Sequence, residues 1–167
     1  MRLIKKAINH VRTKKNCFAI IVGDLMETVT CHSKGLIFKQ KLTGTDQYKT
    51  LKELLAPISH KILYAVTGNH EKRVVKETST DIMDVFCNDL GIEYCGYEKH
   101  FLIKMKGSRT IRCYMHHNTG GGTTHGAKIN RLVALHFRSP FADVIFSGHT
   151  HDLSDAQKMI PYQGKSG

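Results

Sequence analysis

Four short apolar runs in this chain break off at a glycine or a histidine and hand over to side chains of the kind that bind metals. "AIIV" (19–22) runs into Gly23 and Asp24, and "LYAV" (63–66) into Gly68, Asn69 and His70. "IRCYM" (111–115) runs into His116 and His117, and "DVIFS" (143–147) into Gly148, His149 and His151. Each run has strand length, and buried strands read as near-continuous apolar stretches. Helical patterns lie between most of them, which predicts an α/β fold with a largely parallel or mixed sheet covered on both faces. In such sheets ligands bind beyond the carboxyl ends of the strands. All four polar clusters therefore fall where a site would be built, and a glycine lets the backbone turn sharply there.

The intervening segments fill in the helices. Leu3, Ile4, Ala7, Ile8 and Val11 share one face of a helix predicted over residues 2–14, with lysines and arginines around the other. A second helix is predicted over residues 44–60, capped by Thr45 or Asp46, with Leu51, Leu54 and Leu55 inward. A third spans Ser79 to Leu90 and is closed by Gly91. "IEYCGY" and "HFLIKMK" read as strands, and "AKINRLVALHF" as a helix after the glycine-rich loop "NTGGGTTHG". With no internal repeat or linker, the 167 residues are expected to form a single domain, 1–167.

Composition narrows the partners. Lysine plus arginine outnumber aspartate plus glutamate by 25 to 14, a formal charge of +11. That surplus suits polyanions such as nucleic acid or phosphorylated substrates, or a basic solubilising surface. Five cysteines without a C-x-x-C pair argue against a disulfide framework and a zinc knuckle, and predict reduced thiols in a cytoplasm. No apolar run approaches the roughly 18–20 residues of a membrane span. The basic N-terminus lacks the apolar core of a secretory signal.

Together the four strand ends offer a carboxylate, a carboxamide and several imidazoles, a mixed oxygen and nitrogen set suited to Mn, Fe, Zn or Ni. "GDLME" (23–27), "GNHE" (68–71), "HHN" (116–118) and "GHTH" (148–151) occur in that order. This series resembles the signature of the calcineurin-like metallophosphoesterases, and "HHNTGGG" resembles phage and bacterial members. The resemblance covers nearly the whole chain. It implies mixed sheets flanked by helices in an α/β/β/α arrangement, two divalent ions with manganese foremost, and hydrolysis of a phosphomonoester or phosphodiester by metal-activated water. A nucleic acid or nucleotide substrate, and hence nuclease, phosphatase or phosphodiesterase chemistry, accords with the charge.

Carried over by motif position, Asp24 would bridge the two ions. Asn69, His117 and His149 would complete one position, and His151 would belong to the other. His116 is the alternative to His117, which is preferred because the family histidine is usually followed by glycine and Asn118 tolerates positive φ. His70 would be the catalytic proton donor, with Glu71 helping to orient it. Substrate contacts are expected from Asn69, His70, Arg73, Gly121 and Lys128. Gly120 to Gly122 are either a phosphate cradle or a spacer. "HEKRVVKE" (70–77) is either a solvated helix face or a phosphate-binding one.

The family's first block, D-x-H, has no counterpart here. Relatives place it ahead of the first helix, so the natural protein is expected to carry some 15–25 further residues and the domain to be incomplete at both ends. A genuinely short form would instead be a catalytically impaired metal- or nucleic-acid-binding member of the same fold.

Overall fold

A computed structural model describes residues 2–31, 33, 39–107, 109–117 and 124–149. The chain runs α1 (Arg2–Thr13), β1 (Ala19–Val22), α2 (Gly44–Leu55), a 3-10 turn (Ala56–Lys61), β2 (Ile62–Val66), α3 (Asn69–Thr78) and α4 (Ile82–Leu90). It continues through β3 (Glu98–Lys104), β4 (Thr110–His116), α5 (His125–Arg138) and β5 (Val144–Ser147).

The strands divide between two sheets instead of the one that alternation suggests. β1 pairs in parallel with β2, while β4 pairs antiparallel with β3 and parallel with β5. The two sheets face each other across Val66, Phe101, Cys113 and Met115, with Ile20, Val22, Tyr64 and Phe146 packed around them. On its other face the first sheet meets the helices through Met26, Leu55, Ile58, Ala65, Met83 and Phe86. The result is a layered α/β class in which α5 covers the outer face of the second sheet, where Leu135 is buried and Arg138 reaches Glu98 (3.5 Å).

A register shift lies between Ala19 and Ile20, so that Ala19 pairs Ile62 but Ile20 pairs Tyr64. The skipped residue breaks the period of two: Ile62 and Ala65 both face the helices, and Leu63 is left 39% exposed. A one-residue slip without this bulge would send Val66 to the wrong side.

Local signals explain the helix ends, with some corrections. The cap of α2 is Thr43, whose hydroxyl accepts from the amide of Asp46 at 3.1 Å, so the helix starts ahead of the expected Thr45 or Asp46. It tightens to 3-10 at Ala56 because Pro57 has no N–H to continue the ladder. "IEYCGY" makes only a bridge from Tyr94 to Ala65. α4 is capped by Asp81, which accepts from the amides of Met83 and Asp84, and ends in left-handed Gly91. In α1 only Ile8 and Val11 reach the core, and Leu3 is 79% exposed. The helix is fastened at its C-terminal end, where the Lys61 ammonium donates to the carbonyls of Val11 (2.9 Å) and Lys14 (2.7 Å). No helix among the described residues is long and apolar enough to cross a membrane.

Candidate metal centre

The described strand ends meet at one mouth. After β1 the backbone takes two successive left-handed residues, Gly23 (φ 74°) and Asp24 (φ 50°), which turns the carboxylate back over the sheet. β2 leads through Thr67 and Gly68 into α3, whose first residue is Asn69. β4 delivers His117, and β5 delivers His149, itself left-handed (φ 74°).

One ligand atom each from Asp24, His117 and His149 lies within 4.8 Å of the others. Asn69 sits among them: its Oδ1 is 3.0 Å from Nε2 of His117 and 2.6 Å from Nδ1 of His149. Nδ1 of His117 lies 2.6 Å from the Val22 carbonyl. A carbonyl only accepts, so that nitrogen carries the proton and Nε2 presents its lone pair inward. Nε2 then faces two oxygens, Asn69 Oδ1 and, at 3.1 Å, Asp24 Oδ2. Asp24 Oδ2 is buried without a hydrogen bond, and its approach to His117 becomes an ion pair only when the ring is protonated. With the His117 ring neutral, electron pairs converge here with no donor between them, and a cation, a proton on Nε2 or a metal ion, satisfies them. A backbone carbonyl fixing the far nitrogen of the ring is the support that metal-binding histidines ordinarily have.

The electrostatics agree. Burial would raise the Asp24 pKa, but His117 and the amide of His70, which donates to Oδ1 at 3.0 Å, outweigh it and hold it at about 2. Burial would lower that of His117, but Asp24 and the Val22 carbonyl outweigh it and raise it. A proton on His117 thus stands where a divalent cation would.

Close approach explains the glycines. A Cβ at Gly23 would stand 2.6 Å from Nδ1 of His117 and 2.7 Å from Cα of Gly68. One at Gly68 would collide with the backbone nitrogen and carboxylate of Asp24. One at Gly148 would stand 2.6 Å from the Val22 carbonyl oxygen and 2.9 Å from Nδ1 of His117. The glycines of two motifs, Gly23 and Gly148, are packed against one imidazole, and that of a third, Gly68, against Asp24.

His70 lies on the rim, its Nε2 3.8 Å from Asp24 Oδ2 and its Nδ1 3.4 Å from Glu27 Oε2. Glu71, expected beside His70, does something else. Its fully buried carboxylate accepts from the amides of Asp24 (3.1 Å), Met26 (2.8 Å) and Gly68 (2.9 Å), tying together the turns that carry Asp24 and Asn69. Glu27 was not singled out as the partner of His70, although the spacing of the "GDLME" block placed it there.

His116 is not in the cluster. Strand alternation turns it to the opposite face, where Nε2 lies 3.4 Å from Nη1 of Arg138 and Nδ1 is buried without a partner. Burial first, then Arg138, lowers its pKa. Arg73 falls one turn beyond Asn69 on the same side of α3, and Lys128 lies in the first turn of α5. Gly121 and His151 lie outside the described residues, as do Asn118 and Gly120 to Gly122.

Comparison with curated proteins and with solved structures yields no match. Residues 1–153 match the family model for the calcineurin-like phosphoesterases. The chain belongs to the calcineurin-like phosphoesterases.

Proposed function

We propose that this chain is a metal-dependent hydrolase of phosphate esters, acting on a phosphomonoester or phosphodiester, with a nucleic acid or nucleotide as the preferred substrate. The observation that carries the reading is the buried, unbonded Oδ2 of Asp24 set among Asn69, His117 and His149. Asp24, Asn69, His117 and His149 would hold one divalent ion, and Asp24 with His151 a second; the donor set favours manganese, with iron, zinc or nickel as alternatives. Such ions lower the pKa of water and neutralise phosphoryl oxygens.

The protein's own groups do the rest. Asp24 is kept ionised by His117 and the His70 amide. Glu27 faces Nδ1 of His70, which leaves Nε2 directed to the mouth, where it serves as the proton donor to the leaving oxygen. Arg73, one turn beyond Asn69 on α3, and Lys128, in the first turn of α5, would meet remaining substrate charge. The surplus of +11 supports a polyanionic substrate, and five cysteines outside any disulfide accord with a cytoplasmic setting.

The test is hydrolysis of bis(p-nitrophenyl) phosphate and p-nitrophenyl phosphate in Mn2+. Turnover should be lost on chelation and fall at least 100-fold in Asp24→Asn and His149→Ala. Equal turnover with and without metal would end the proposal.

A further inference from the structure

α3 extends the site in one direction. Residues three, four and seven apart share a helix face, so Lys72, Arg73 and Lys76 lie in line with Asn69 along α3. The stripe covers about 10 Å of helix axis, roughly three stacked nucleotide steps of 3.4 Å. Among the described residues none of the three cations is paired with a carboxylate. The acids of the helix are directed elsewhere: Glu71 is fully buried beneath the turns that carry Asp24 and Asn69, and Glu77 lies beside Cys31 (Oε2 to Sγ 3.6 Å).

Lys72 is held in place. Its ammonium sits 3.7 Å from the ring centroid of Tyr97, and burial, then the neighbouring Lys76, lowers its pKa. A cation half-buried beside another cation calls for an anion. Pinning it on an aromatic ring removes part of the ordering cost of binding one. Tyr97 keeps 56% of its surface exposed, a place for a base to stack beside the phosphates.

We propose that the Asn69, Lys72, Arg73 and Lys76 face of α3, with Tyr97 at its side, guides a single-stranded phosphodiester backbone into the metal centre, so that the substrate is a nucleic-acid strand. The inference rests on the reading of that centre as the place where phosphorus is attacked. A small monoester would fill the centre and leave the ridge idle.

The test is fluorescence anisotropy with a labelled 20-nucleotide DNA strand in Mn2+ at short times, strand integrity checked on a denaturing gel. The Lys72→Gln/Arg73→Gln/Lys76→Gln protein should bind at least tenfold more weakly at low salt. Its log Kd against log salt slope should be shallower by about 2, as expected for three lost phosphate contacts on a single strand. An Arg2→Gln/Lys5→Gln/Lys6→Gln protein, with the same charge change on exposed positions of α1, should stay within twofold of the unaltered chain. Circular dichroism confirms that each variant folds. Equal weakening in both triple variants would show that only total charge matters, and would overturn the proposal. So would absence of strand binding, or unchanged binding in the α3 variant. Turnover of bis(p-nitrophenyl) phosphate is measured in parallel: turnover without strand binding sinks the ridge alone, whereas ridge-dependent binding without turnover sinks the hydrolase reading and leaves the ridge.

Discussion

Removing the Glu71 carboxylate would strand three backbone amides at once, those of Asp24, Met26 and Gly68. Each unsatisfied buried donor costs about 1–3 kcal/mol, so Glu71→Ala should lose at least about 3 kcal/mol in urea unfolding. Glu71→Gln keeps one acceptor and the side-chain volume and should lose less, while still weakening Mn2+ binding by calorimetry. A Glu71→Ala protein as stable as the unaltered chain would contradict this account of how the two turns are joined. The metal-type residues were legible in the sequence because chemistry and position coincide: Asp24, Asn69, His117 and His149 all follow apolar runs. Glu71 was not, since its role is to receive amides from a turn 45 and 47 residues away, and nothing local announces such a contact. His117 is preferred over His116 for the Asn118 that follows it, and strand alternation puts the two rings on opposite faces.

At the scale of elements, Asp81 does two jobs. It caps α4 and its other oxygen accepts the Tyr94 hydroxyl at 2.7 Å, which with burial pushes the Tyr94 pKa well up. Asp81→Ala should lose about 1 kcal/mol for the cap and about 1 kcal/mol more for the orphaned hydroxyl, read as a fall in Tm of roughly 4–8 °C. Gly148→Ala attacks a different link. Its methyl would press on the Val22 carbonyl and His117, so Mn2+ affinity should drop at least tenfold while far-ultraviolet circular dichroism stays unchanged; unaltered affinity would argue against the crowding. The closing Gly91 was legible because a left-handed residue ends a helix and glycine supplies it. The division into two sheets followed only from the family resemblance, because period-two runs say which faces are buried and not which edges pair. The bulge at Ala19 and Ile20 likewise leaves no mark in the sequence.

For the whole molecule, pH and metal act on the same groups. The Asp24 pKa is depressed to about 2 from the usual value near 3.9, so its stabilisation is present above about pH 3.9 and is lost as pH falls towards 2. That of His117 is raised, so its contribution is full below about pH 6.5 and fades as pH climbs through the raised value. The metal-free protein should therefore be most stable between about pH 4 and 6.5. Saturating Mn2+ displaces the His117 proton and should carry the maximum to higher pH, seen as Tm against pH with and without chelator; superimposed profiles would mean that the ion binds elsewhere. Gly23 and Gly68 belong to the first sheet's loops, Gly148 and His117 to the second's, and they touch. A bound ion at that seam is a clasp between the two halves, added to their apolar contact and to the hydrogen bond from His117 to the Val22 carbonyl. Hydrogen–deuterium exchange should then quicken on both sides together when the ion is stripped, and calorimetry should resolve one melting peak into two.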